Sequence, residues 1–290
     1  MGQHPSARAH NARIPQPGAR KRSLGMQARA SYPRLDPPAF EVINTADALQ
    51  AAIETLTHAS ARALGVAVLL AVDPGRPRSV QGDPRRAAMT HVAIAPPEGP
   101  VRIIDASAIR ELTPLQALFG GAATESSAAS APYVVLHNAH LGLTALGRRG
   151  LRPGRFGCTR IAATLLAEGA DGRRSERPLG ELVEAELERS LPGAYARGLA
   201  EAELGAPLTM IAASVASTLV PLMRRLTPRL RERGLSRVYE LECQVLRPVI
   251  DMEAAGMPVD QAQFQRVAQG WARERHALLR ASAERPVELT

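Results

Sequence analysis

Side chains able to do chemistry are few in this sequence, and they are scattered. Its seven histidines are His4, His10, His58, His91, His137, His140 and His276. Only His137 and His140 lie close together, and their spacing could set two imidazoles on one helical turn, as in some metal sites. They follow an apolar segment at a strand–helix junction, with no third ligand type beside them, so no metal is expected there. Cys158 and Cys243 lack the spacing of a zinc site. Two reduced, buried thiols are expected, with a disulfide as the alternative. A phosphate-cradling Gly-rich loop, GxSxG, HExxH and CxxC are all absent. Asp73-Pro74-Gly75 reads as a turn rather than a ligand-bearing strand end.

The formal charge of +8 suggests nucleic acid until it is located. Residues 1–35 carry seven basic groups, and no acid precedes Asp36. Seven of the eight net charges therefore sit in a Pro/Gly/Ser-containing tail, leaving 29 basic against 28 acidic groups elsewhere. Such a tail holds too little apolar surface to build a core. A disordered basic leader over 1–37 is expected, with a weak nucleic-acid-binding arm as the other reading. The amino terminus has no apolar stretch of the secretory kind, and no run approaches the roughly 18 apolar residues of a membrane span. A cytoplasmic protein without membrane contact is expected.

The elements that would position these groups follow from periodicity. Phe40–Ile43 reads as a strand, and residues 45–63 read as an amphipathic helix with Leu49, Ile53 and Leu56 on one face. The apolar run 65–72 reads as a buried strand. Residues 91–95 and 101–105 flank Pro96-Pro97-Glu98-Gly99 as a hairpin. A helix is expected over 107–120, a loop over 120–131 and a strand over 133–136. Helical spacing then dominates: 141–149, 159–168, 179–189, 210–233, 235–255 and 258–283. Strands interleaved with helices, then helices alone, indicate an α/β domain around a mixed sheet, followed by C-terminal helices.

Three segments carry a family resemblance. His137-Asn138-Ala139-His140-Leu141-Gly142-Leu143-Thr144-Ala145-Leu146 resembles the second motif of DEDD-type 3′-5′ exonucleases, H-N-A-K-F-D-x-x-x-L. Residues 155–166 resemble the segment that follows it. Residues 234–260 are similar to the stretch joining the exonuclease domain to the thumb of family A DNA polymerases, with Met252-Glu253-Ala254-Ala255-Gly256-Met257-Pro258-Val259-Asp260 as its most specific part. Within it Leu241, Val245, Ile250 and Met252 read as an apolar stripe, and Gly256 with Pro258 as a helix stop. The resemblance implies a ribonuclease H-like fold, with a degenerate exonuclease-like domain over 38–233 and the start of a polymerase thumb over 234–290.

It also implies that the chemistry is missing. The family holds two Mg2+ or Mn2+ ions on carboxylates, from a D-x-E on the first strand, the Asp of the second motif and an Asp in a late helix. A Tyr or His one turn before that last Asp orients water. On this chain those positions fall on Leu69 and Ala71, on Gly142, on Val215 and on Ile211. None can ligate a metal, so no cofactor is expected, and the four former ligand positions are expected to converge. Asn138 matches a position able to contact a single strand. Arg148, Arg149 and Arg152 lie just beyond, as further DNA contacts or as ordinary solvated surface. The expected function is a non-catalytic structural or strand-binding module of a family A polymerase. DNA, weakly bound and single-stranded, and polymerase domains in the same or another chain are the expected partners. The alternatives are an active exonuclease with shifted carboxylates, or an interaction protein that keeps the fold without DNA.

Overall fold

The computed structural model describes residues 32–33, 35–58, 62–71, 83–120, 131–167, 178–191 and 208–283. The readings of residues 1–31 as a tail, of Asp73-Pro74-Gly75 as a turn and of 121–130 as a loop lie outside them. By contacts the chain divides at Tyr32/Pro33, and the unit from Pro33 onward is described below. At its start Leu35 N–H bonds the Ser190 carbonyl and Ser190 N–H bonds the Pro33 carbonyl.

Its centre is a sheet of six strands: β1 (Phe40–Ile43), β2 (Ala63–Leu70), β3 (Met89–Ala95), β4 (Val101–Asp105), β5 (Tyr133–Leu136) and β6 (Phe156–Cys158). Their order across the sheet is β1-β4-β3-β2-β5-β6. The hairpin β3–β4 and the pair β2–β3 are antiparallel, whereas β1–β4, β2–β5 and β5–β6 are parallel. The strands read as nearly unbroken apolar runs because helices cover the sheet. Leu64, Val92, Ala93, Ile94, Ile103 and Val134 have no measurable exposure.

Eight helices are described: α1 (Ala46–His58), α2 (Gln116–Phe119), α3 (Ala139–Gly147), α4 (Thr159–Ala167), α5 (Leu179–Leu187), α6 (Leu208–Glu232), α7 (Ser236–Ala255) and α8 (Gln261–Ala283). The expected helix over 107–120 is instead a turn followed by short pieces. Asp105 Oδ1 accepts the Ser107 and Ala108 N–H groups, a 3-10 turn spans Thr113–Leu115, and α2 ends at Gly120 with φ 62°. The first helix ends at His58, earlier than residue 63, because β2 already begins at Ala63. The strand β6 has only three residues, too few for a periodic signal.

The longest helix, α6, lies on the sheet. Ala212, Ala213 and Ala216 are at most 1% exposed, and these small side chains let the helix approach closely. At Gly65 the approach is extreme: a Cβ there would lie 2.1 Å from the Ala216 carbonyl oxygen. Pro221 and Pro228 interrupt the helix's hydrogen bonds, but both are exposed, so water can reach the freed carbonyls. Mixed sheet, element order and flanking helices form the α/β, ribonuclease H-like architecture expected from the sequence.

Candidate functional site

The second-motif segment is built on β5 and α3. Leu136 ends the strand, and Asn138 caps the helix, its Oδ1 accepting the Leu141 N–H at 3.4 Å. An Asx cap satisfies one of the first-turn donors. Gly142 lies one turn in, buried against the sheet. A Cβ there would meet the Leu136 Cδ2 at 2.6 Å and the Val68 Cγ2 at 4.0 Å. The space a carboxylate would need is thus filled by aliphatic side chains.

Leu69 and Ala71 are half-buried at the carboxyl end of β2. The Leu69 carbonyl accepts the Thr90 hydroxyl at 3.2 Å, beside a bulge between Leu69 and Leu70. The Ala71 N–H bonds the Ala88 carbonyl at 2.7 Å. On α6, Ile211 and Val215 are one turn apart and 1% and 2% exposed. Strand side chains alternate between faces. Gly142 therefore meets β2 on the face of Val68, while α6 abuts Gly65 on the face that Leu69 shares. The aligned positions fall on both sides of the central strand and do not line one face. Among the described residues, no three His, Cys, Asp or Glu side chains stand close enough to hold a metal. The donor set does not fit the two-cation centre the fold family implies.

The histidines have structural partners. His137 Nδ1 and the Thr159 hydroxyl are 2.9 Å apart, and the Cys158 thiol donates to the His137 carbonyl. Burial, and then the nearby Arg160 guanidinium, hold the His137 pKa down, to about 4. His140 Nε2 faces the Glu253 carboxylate of α7 at 2.8 Å. Cys158 and Cys243 are both buried and form no disulfide, and burial raises both thiol pKa values.

Two of the three expected strand-contacting arginines are engaged by main chain. Arg148 donates to the Pro84 and Ala87 carbonyls, and Arg149 to those of Ala106, Ile109 and Arg110. Both guanidiniums tie distant turns to the end of α3. Arg152 is 67% exposed and only loosely paired with Asp251, at 3.5 Å. It edges a cleft between α3 and α7 that Leu143, Leu151, Arg247 and Ile250 also line. Arg247 donates to the Pro153 and Gly154 carbonyls and lies over the Phe156 ring, 5.3 Å from its centroid.

The docking of α7 corrects one sequence reading. Leu241, Val245 and Met252 face solvent, 58%, 44% and 72% exposed. The packed face is Tyr239, Cys243, Leu246 and Ile250. Tyr239 reaches into the sheet, where its hydroxyl accepts the Cys158 N–H at 2.9 Å and meets the Tyr133 hydroxyl. Gly157 leaves room for this, since a Cβ there would lie 2.3 Å and 2.6 Å from the Tyr133 and Tyr239 oxygens. Pattern reasoning missed Tyr239 and Arg247; the available signal was a lone Tyr at helical spacing from Cys243 and an Arg before Pro248.

Sheet order, the late helix on the sheet and the capped second-motif helix define a fold of the 3′-5′ exonuclease type. Solved structures agree. Escherichia coli RNase D, an exoribonuclease involved in structured RNA processing, aligns at TM-score 0.53 and 18% identity over 73% of this chain and 51% of its own. The catalytic core of RRP6 from Trypanosoma brucei aligns at 0.55 and 17%, over 74% and 54%. The POL domain of Pol1 from M. smegmatis, in complex with DNA primer-template and dNTP, aligns at 0.54 and 23%, over 80% and 35%. The chain spans about half the length of the first two and about a third of the last. No family model and no curated protein matches the sequence. Among the described residues, no helix is long and apolar enough to cross a membrane.

Proposed function

We propose that this chain is a non-catalytic 3′-5′ exonuclease-like module of a family A DNA polymerase, which supports the assembly and touches a DNA strand without cutting it. One observation carries the reading. The positions that align with the family's metal ligands are Leu69, Ala71, Gly142 and Val215, with Gly142 packed against Leu136 and Val68 and Val215 buried. Two hard cations held close together need several anionic oxygens, and these residues offer none. Apolar replacements also remove the mutual repulsion of clustered carboxylates, so the fold can outlive the chemistry.

Strand contact rests on Asn138 and Arg152, since Arg148 and Arg149 already bond carbonyls. Binding through these two groups should be weak and salt-sensitive. The test is incubation with single-stranded and mispaired DNA in Mg2+ or Mn2+. Nucleotide release should equal that of a no-enzyme control, and the proposal fails if a chelator-sensitive release appears. Fluorescence anisotropy on single-stranded DNA, read across salt concentrations, tests the strand contact separately. Salt-independent or undetectable binding would remove the DNA-touching part and leave a purely structural module.

A further inference from the structure

Cations and apolar walls meet in the cleft between α3 and α7. Leu143 of α3, Leu151 of the turn that follows and Ile250 of α7 form the walls, and Arg152, Arg247 and Asp251 are its charged groups. Its space is about 440 Å3, the open mouth included, which suits a small molecule and not a folded partner. The two guanidiniums lie close together: burial, and then Arg152, lower the Arg247 pKa, and Asp251 acts against them. Two cations thus share one carboxylate. The pairing that could neutralise Arg152 is loose, because Asp251 stands 3.5 Å away and both side chains are largely exposed. The excess positive charge suits an anion. Arg247 is also fixed in place, its Nη2 donating to the Pro153 and Gly154 carbonyls and its guanidinium lying over the Phe156 ring. Phe156 does not line the cleft, so it backs one side of the guanidinium and leaves the other to the cleft. A planar cation held in this way is a stacking surface for a base.

We propose that this cleft binds a nucleoside monophosphate, with the base among Leu143, Leu151 and Ile250 against Arg247 and the phosphate on Arg152. Asp251, released from Arg152, accepts from a sugar hydroxyl. None of the aligned ligand positions lines the cleft, so the nucleotide is held without a metal. The inference rests on the proposed strand contact for its class of ligand, and it names what Arg152 touches.

Gly147 gives the test. It lines the cleft one turn after Leu143, and a Cβ there meets nothing within 4 Å, so Gly147→Leu fills the cleft without disturbing the helix. The full chain, titrated with dAMP in a chelator and followed by ligand-observed NMR, should bind it saturably with a Kd of about 1 mM or tighter. Deoxyadenosine and inorganic phosphate should each bind at least about tenfold more weakly, because each keeps only part of the contacts. Gly147→Leu should weaken dAMP binding at least about tenfold, with a thermal transition no lower than the parent's. Arg152→Ala should weaken dAMP by a similar factor and leave deoxyadenosine unchanged. No saturable dAMP binding, deoxyadenosine bound as tightly as dAMP, or undiminished dAMP binding by G147L overturns the inference. Single-stranded DNA bound without dAMP sinks this site alone. If dAMP binds, is lost in G147L and single-stranded DNA does not bind, the site stands and the strand contact falls.

Discussion

Replacing Tyr239 by Phe tests whether α7 is anchored to the sheet through one hydroxyl. The change removes a single oxygen, which accepts the buried Cys158 N–H at 2.9 Å and partners the Tyr133 hydroxyl. The backbone donor on β6 then has no acceptor and no route to water. A buried donor left unpaired costs about 1–3 kcal/mol, and the ring itself still fills its place. The expected loss is about 2 kcal/mol. With a urea m-value near 2 kcal/mol/M, the unfolding midpoint falls by about 1 M at unchanged slope. Gly157→Ala attacks the same pair of oxygens from the other side, with a methyl 2.3 Å and 2.6 Å from them. Overpacking of this kind costs about 1–3 kcal/mol. Because Tyr239→Phe removes one of the two clashing atoms, the double variant should lose less than the two single losses added together. A Y239F midpoint within about 0.2 M of the parent, or strictly additive losses, would refute the anchoring argument.

Other perturbations have equally definite outcomes. His137 has its pKa depressed from 6.5 to about 4 by burial and by Arg160. The unfolded chain therefore binds the proton first, and stability present above pH 6.5 is lost as the pH falls toward 4. At most about 3 kcal/mol is involved, and the difference in urea midpoint between pH 7 and pH 4.5 should shrink in His137→Gln. Gly65→Ala should cost at least about 3 kcal/mol, since its Cβ would strike the main chain of α6 at 2.1 Å. Gly147→Ala, with open space around it, should leave the melting temperature unchanged or slightly raised.

Legibility followed burial. The central strands were readable because a strand covered on both faces becomes an unbroken apolar run, as in β2 and β5. The long helices were readable because their cores repeat at three and four residues. Short elements were not. Phe156-Gly157-Cys158 becomes a strand only because β5 offers it a ladder, and the single turn of α2 depends on Gly120 more than on periodicity. Arg148 and Arg149 show the same limit at the level of side chains. An arginine pair reads alike whether its acceptors are phosphates, water or carbonyls, and here the acceptors lie 39–64 residues away.

The helix α7 shows why one apolar pattern can mislead. It carries two stripes, one through Tyr239, Cys243, Leu246 and Ile250, the other through Val238, Leu241, Val245 and Met252. Hydrophobicity alone favours the second, which lacks the hydroxyl. The first is the one buried, because β6 presents an unpaired N–H at Cys158 and a side-chain-free space at Gly157, and only a tyrosine uses both. His140 and Glu253, paired at 2.8 Å, tie the same helix to α3. The segment most similar to a polymerase thumb junction is thus clamped to the exonuclease-like sheet at points independent of the aligned ligand positions. That clamp uses no group at the aligned ligand positions, so on the proposed non-catalytic reading the α7 helix stays held against the sheet.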